Sequence, residues 1–179
     1  MSTSGHSSTG RYSSTRGHSG SGVAPIRIPD LSARPFNLVA EHTFSVPPAT
    51  LYHAWTVGFE QWFAAPGSLL LRPEVNAAFF FETEFKQESD ALAQRHPHYG
   101  RFLRLIPDNL VELTWVTGAL GTEGSETVVT VKLTSAKEGT HLHLTHAGFP
   151  NAAARDRHAQ AWPQVLKQLE QRIANSNAG

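Results

Sequence analysis

The chain contains no cysteine and has no excess of charge of either sign. The absence of cysteine excludes disulfide bonds, thiolate zinc sites and a thiol nucleophile. Fifteen Lys and Arg residues balance 15 Asp and Glu residues, which argues against a nucleic-acid partner because binding a polyanion requires a positive surface. No apolar run is long enough for a membrane-spanning helix. We therefore expect a soluble, cytoplasmic protein.

The sequence also lacks the common catalytic and cofactor motifs. It contains no glycine-rich phosphate loop, no zinc-binding motif and no Ser, His and Asp in the order of a hydrolase triad. Glu41, Glu82, Glu84 and Glu112 fall on the predicted solvent-facing sides of strands, where a carboxylate is poorly placed for acid catalysis. We therefore predict no catalytic residue and no cofactor.

Pairs of histidines raise the question of a metal site. His141 and His143 are two residues apart and share one face of a predicted strand, and His96 and His98 would do so if extended. A zinc site needs further ligands in a tetrahedral arrangement, and no cysteine or nearby carboxylate supplies them. Both pairs are predicted to face solvent, so we expect surface imidazoles and no metal.

Composition divides the chain into four parts. Residues 1–22 consist almost entirely of Ser, Gly, Thr, His and Arg, which predicts a flexible tail. Residues 23–35 contain three prolines and predict an extended lead-in. Residues 36–174 are predicted to form one folded domain, and residues 175–179 a short C-terminal tail.

The longest predicted element is a helix from Asn151 to Ile173. Asn151 suits the N-cap position because its side-chain oxygen can accept from a free backbone N–H. Apolar and aromatic residues then recur at three- and four-residue steps, at Ala154, His158, Ala161, Trp162, Val165, Leu166, Leu169 and Ile173. Pro163 predicts a kink near residues 159–163, since an internal proline removes a backbone hydrogen bond. Trp162 is expected to anchor this helix to a sheet.

Upstream segments alternate between apolar and polar residues, which predicts strands. A first strand over Phe36–Val46 precedes a helical segment that begins near Ala49 and that Gly58 divides into two short helices. Six further strands are predicted at Leu69–Arg72, Ala78–Phe85, Tyr99–Ile106, Val111–Thr117, Thr127–Leu133 and His141–His146. Most of the links are short enough only for hairpins, so we predict an α+β domain with an antiparallel sheet whose apolar face packs on the long helix.

Several segments together resemble a known bacterial family. They are ARPFNLVAEHTFSVPPATLYHAWT from Ala33, Trp62-Phe63 before Pro66-Gly67, GRFLRLIPDNLVELTW from Gly100, ETVVTVKL from Glu126, and GTHLHLTHAGFP from Gly139 with a following H-x-x-A-W-x-x-x-L. In this order they are similar to the family named after the activator of the heat-shock protein 90 ATPase, in the START/Bet v-like (SRPBCC) helix-grip superfamily. The resemblance implies a curved sheet of six to seven strands around the C-terminal helix, with two short helices after the first strand.

The chain departs from the family pattern at three places. Asn76-Ala77-Ala78 stands where the family usually has a Gly-Gly pair, and Ala161-Trp162 stands where it usually has Gly-Trp. The second departure adds a methyl group that could fill part of a cavity. The loop from Lys86 to Pro97 is polar and replaces a short turn, so we expect it to form a mobile flap.

The resemblance and the inward aromatic residues predict that a small apolar or amphipathic molecule binds between the sheet and the C-terminal helix. The candidate pocket residues are Trp55, Trp62, Phe79, Phe81, Phe102, Arg104, Trp115, His146, Trp162 and Leu166. For the aromatic residues the alternative is simple core packing. For His146 the alternative to contacting a ligand is a hydrogen bond at the corner between the last strand and the helix.

Two other functions remain open at this stage. The family name implies a co-chaperone-like module that would bind a heat-shock protein 90 homologue through its sheet surface and stimulate its ATPase. A cyclase-like or hydrolase-like enzyme using His146 as a proton donor is the third hypothesis.

Overall fold

The computed structural model describes residues 25–85 and 94–176. Its elements follow the predicted order of one strand, two short helices, further strands and a long helix. They are β1 (Phe36–Phe44), α1 (Pro48–Ala54), α2 (Phe59–Trp62), β2 (Ala78–Phe85), β3 (Gln94–Ile106), β4 (Leu110–Thr117), β5 (Thr127–Ala136), β6 (Gly139–Phe149) and α3 (Ala152–Ser176). Residues 25–35 contain neither helix nor strand.

The described strands form one antiparallel sheet in the order β1-β6-β5-β4-β3-β2. Strands β2 to β6 are a meander of hairpins, and β1 pairs with β6 to close the other edge. One hairpin turns at Asp108, whose φ of 58° is left-handed, a conformation that Asp tolerates better than most residues. This arrangement confirms the predicted helix-grip fold with six strands.

The α3 helix begins where the sequence predicted. The Asn151 side-chain oxygen accepts a hydrogen bond from the Ala154 backbone N–H at 2.8 Å, as an N-cap does. Ala154, Trp162, Leu166 and Leu169 are buried against the sheet and the short helices. The helix continues through Pro163 without interruption, so the predicted kink does not break it.

One predicted strand is wrong. The segment Leu69–Arg72 is not a strand, and only Leu70 forms an isolated bridge, to Phe80 on β2. Pro66 and Pro73 flank this short run, and proline cannot extend a hydrogen-bonded ladder. Leu70 itself is exposed, while its neighbours Leu69 and Leu71 pack against the core, so side-chain packing and not strand pairing holds the segment in place.

Two predicted boundaries also need correction. Strand β3 begins at Gln94, and residues 94–97 pair with β2, so the C-terminal part of the predicted flap is strand. The remaining residues of that flap, 86–93, lie outside the described residues. Helix α3 reaches Ser176 and thus includes the start of the predicted C-terminal tail. The predicted N-terminal tail, residues 1–22, lies outside the described part of the chain.

Candidate functional site

A cavity of about 590 Å³ lies between α3 and one edge of the sheet, where β2 ends and β3 begins. Its sheet side comes from β2, β3 and the end of β4, its opposite wall from α3, and its rim from the loop after β4. The lining residues are Phe63, Thr83, Glu84, His96, Pro97, His98, Thr117, Gly118, Ala119, Leu120, Gly121, Arg157, His158, Ala161, Gln164, Val165 and Gln168. The cavity therefore lies between the sheet and the C-terminal helix, and both apolar and polar residues line it.

His98 is a buried histidine in the sheet wall of this cavity. Its ring stacks on Phe81 at 4.9 Å between centroids and meets the Trp115 ring edge-on at 4.9 Å. Burial lowers the pKa of His98 to about 4; a hydrogen bond to His96 opposes this shift, and the nearby His158 adds to it. The imidazole is therefore neutral near pH 7.

A backbone hydrogen bond decides which nitrogen of His98 carries the proton. Nδ1 lies 3.0 Å from the His96 carbonyl oxygen. Since a carbonyl oxygen can only accept, Nδ1 must be the protonated nitrogen. Nε2 of the neutral ring is then an acceptor, and no described residue donates to it.

His158 repeats this arrangement in the helix wall. Its Nδ1 lies 2.9 Å from the Ala154 carbonyl oxygen, one turn earlier in α3, so Nδ1 donates and Nε2 is left as an acceptor. Burial lowers the pKa of His158, the bond to Ala154 opposes the shift, and the positive charge of Arg157 adds to it. Thus two neutral histidines face the same cavity from opposite walls.

His146 lies beneath His158, with ring centroids 5.0 Å apart, and is fully buried. The Trp162 indole N–H donates to its Nδ1 at 3.1 Å, so the proton of the neutral ring is on Nε2. Nε2 in turn donates to Thr127 Oγ1 at 2.7 Å, and the threonine hydroxyl donates to the Trp115 carbonyl at 2.5 Å. Both nitrogens are occupied, and burial holds the pKa of His146 well below its usual value.

The rim of the cavity is tied to the helix by Arg157. Its guanidinium donates to the Leu120 and Gly121 carbonyls, at 3.1 and 3.3 Å, and to the Glu123 carboxylate at 2.9 Å. The same loop is closed at its base by reciprocal bonds in which each of Thr117 and Thr122 donates its backbone N–H to the other's hydroxyl. These contacts give the rim a defined shape.

The structure places the predicted pocket residues mostly in the core. Nine of the ten are buried, namely Trp55, Trp62, Phe79, Phe81, Phe102, Trp115, His146, Trp162 and Leu166. The aromatic rings among them pack on one another, and none of the ten predicted residues lines the cavity. Trp62 instead borders a smaller cavity of about 170 Å³ between α1 and the end of α3. Arg104 lies on the outer face of the sheet and pairs with Glu112 at 3.1 Å.

Sequence reasoning missed the residues that line the cavity, above all His98, whose predicted position on the solvent face is wrong. Side chains alternate along β3, so His98 and Gly100 lie on the same side as the buried Phe102. The absence of a side chain at Gly100 is required there, because a Cβ would lie 2.4 Å from the Phe79 ring. The two-residue period counted back from Phe102 would have placed His98 inside.

Other predicted features can be located as well. His141 and His143 are partly exposed on the outer face, where His143 contacts Glu41 at 2.7 Å. Among residues 25–85 and 94–176, no three His, Asp or Glu side chains are grouped as metal ligands would be. No helix in these ranges has the length and apolar character needed to cross a membrane.

Comparison with solved structures finds the same fold in several bacterial proteins. A crystal structure from Mesorhizobium loti is 24% identical, with a TM-score of 0.60 over 78% of this chain and 98% of that one. A second, from Chromobacterium violaceum, is 24% identical, with a TM-score of 0.62 over 76% and 96%. The solution structure of the Aha1 dimer from Colwellia psychrerythraea is 17% identical, with a TM-score of 0.53 over 75% and 93%.

These identities are low enough that the likeness shows the fold alone. A search of curated proteins finds no match to the chain. The family model described as activator of Hsp90 ATPase homolog 1-like protein matches residues 45–174. This range begins directly after β1 and extends from α1 through nearly all of α3. The chain therefore belongs to the activator of Hsp90 ATPase homolog 1-like family.

Proposed function

We propose that the protein binds a small apolar or amphipathic molecule in the cavity between β2, β3 and α3. The observation that carries this proposal is the cavity itself, whose volume of about 590 Å³ lies within the range of about 300–1,000 Å³ common for ligand sites. Apolar side chains such as Phe63, Leu120 and Val165 line it together with polar ones, among them His98 and His158, a mixture that suits an amphipathic molecule.

The packing around the cavity supports a binding role. Beneath it the core is filled, since Phe81, Trp115 and Trp162 are all nearly inaccessible to solvent. At the helix wall Ala161 presents a methyl group among larger side chains such as His158, Gln164 and Val165. A larger residue at this position would therefore fill part of the cavity.

The first experiment is native mass spectrometry of the protein purified from its own host, compared with the same sample after denaturation. We expect a small molecule that is released on denaturation. The variant Ala161→Trp, which fills the cavity from α3, should lose that molecule. The variant Ala159→Trp adds the same ring to an exposed position of the same helix and should retain it. Equal retention by both variants, or an empty wild-type protein, would contradict the proposal.

A second candidate is an interaction with a heat-shock protein 90 homologue, supported by the family match and by the fold shared with the Aha1 dimer. Val39 and Tyr99 are exposed apolar residues on strands of the sheet and offer contact points for a protein. Adding the protein to the chaperone homologue of its host should raise the ATPase rate, and Tyr99→Ala should reduce the effect. An unchanged rate would exclude this function.

A further inference from the structure

We propose that the cavity selects a ligand that carries a hydrogen-bond donor on an apolar body, such as an alcohol or a phenol, and that His98 and His158 accept from it through Nε2. This inference rests on the proposed ligand-binding function and names the class of ligand.

The first step concerns the free nitrogens. Each of these two rings uses its Nδ1–H for a backbone carbonyl, that of His96 for His98 and that of Ala154 for His158. Each therefore has an Nε2 lone pair with no donor among the described residues. Neither Nε2 is among the buried atoms that lack a partner in the described part of the chain, so the cost arises when a ligand fills the cavity and excludes solvent from them. A ligand that supplies a donor avoids this cost.

The second step concerns the third histidine. His146 is next to His158, yet its two nitrogens are already bonded to Trp162 and Thr127. It is saturated and cannot take part in ligand recognition. The two acceptors that remain belong to β3 and α3, so one ligand between these walls is within reach of both elements.

The third step concerns charge. The charged or titratable residues that line the cavity are Glu84, His96, His98, Arg157 and His158. Burial lowers the pKa of both acceptor histidines, so they offer lone pairs and no positive charge at neutral pH. Arg157 is already held by two carbonyls and the Glu123 carboxylate.

The two neutral histidines and the paired Arg157 do not offer a free positive charge, which disfavours an acidic ligand. A carboxylate brings no proton, so it would place its own lone pairs against those of the two histidines. A pure hydrocarbon, or an ether of the same shape, would fill the space and leave both acceptors unpaired. A hydroxyl group satisfies an acceptor and carries no charge, and it is therefore the head group that fits.

The test uses three fluorescent probes of nearly equal size: 1-hydroxypyrene, 1-methoxypyrene and 1-pyrenecarboxylate. Titrations at pH 7 should show 1-hydroxypyrene binding about tenfold more tightly than 1-methoxypyrene, the size expected for one buried hydrogen bond, with the carboxylate weakest. The variants His98→Phe and His158→Phe keep an aromatic ring and remove the acceptor. Each should reduce this preference, while the outer-face variant His143→Phe should leave it unchanged.

Each outcome has a separate meaning. Equal binding of the hydroxyl and methoxy probes to the wild-type protein would overturn the donor preference and leave the proposed binding function standing. Tighter binding of the carboxylate would also overturn it. A preference that survives in both histidine variants would remove these residues from the site. If none of the probes bound, the proposed function and this inference would fail together.

Discussion

His146 lies at the centre of a chain of hydrogen bonds that runs from the Trp162 indole through the imidazole and Thr127 to the Trp115 carbonyl. Every donor in this chain has one acceptor, so the neutral ring has a single tautomer. The chain joins α3 to three neighbouring strands at the base of the cavity. His146 therefore positions other groups and is not free to transfer a proton.

Removing the His146 ring should destabilise the protein strongly. His146→Ala would leave the Trp162 N–H without an acceptor and open a space in a fully buried region, so we expect the free energy of unfolding to fall by about 3 kcal/mol. Urea denaturation measures this loss. His143→Ala, on the partly exposed face of the same strand, should cost less than about 1 kcal/mol. Equal losses for the two variants would contradict this account.

At the scale of elements, α3 depends on the cap that begins it. The Asn151 side chain accepts from the Ala154 N–H and also donates to Glu123, which links the helix start to the loop at the cavity rim. Asn151→Ala should lower the free energy of unfolding by about 1 kcal/mol. Asn151→Ser keeps a capping oxygen and should recover most of this loss in the same denaturation experiment. A serine variant as unstable as the alanine variant would exclude capping as the cause.

The rim loop is a second element whose order depends on α3. Arg157→Leu removes the bonds to Leu120, Gly121 and Glu123, so local opening of the loop should become easier. We expect amide hydrogen exchange at residues 121–124 to accelerate about tenfold. Lys167→Leu, an exposed substitution elsewhere on the same helix, serves as the control and should leave these rates unchanged. Unaltered exchange in the Arg157 variant would show that the loop is held by its own threonine contacts.

For the whole molecule, the buried histidines predict a loss of stability in mild acid. Burial lowers the pKa of His98 to about 4 and that of His146 well below its usual value. Below about pH 6.5 the unfolded chain binds protons at these histidines, whereas the folded chain does not. The free energy of unfolding must therefore decrease as the pH is lowered. Between pH 7 and pH 5 the loss expected from His98 is about 2 kcal/mol. His146 and His158, whose pKa values burial also lowers, add to this loss.

Urea denaturation at the two pH values tests this prediction. His98→Phe removes one of these groups and should reduce the pH-dependent loss by about 2 kcal/mol, whatever its effect on stability at pH 7. A wild-type protein equally stable at pH 7 and pH 5 would show that its buried histidines are protonated in the folded state.

Much of the architecture follows from local patterns in the sequence. The cap at Asn151 and the apolar steps after it predict α3, and the alternation of apolar and polar residues predicts most of the strands. Short links predict antiparallel hairpins. These features are determined locally, since a side-chain period and a turn depend on neighbouring residues. The strand predicted at Leu69–Arg72 failed because a pattern of four residues does not reveal whether a partner strand is available.

The position of the cavity was decided only by the tertiary structure. The sequence identified the inward aromatic residues, including Phe81, Trp115 and Trp162. It did not distinguish the residues that fill the core from those that line the cavity. That distinction depends on the separation between α3 and the ends of β2 and β3, which no local pattern encodes. The pairing of Nδ1 in His98 and His158 with backbone carbonyls is likewise a result of folding, and it leaves two acceptors facing one cavity.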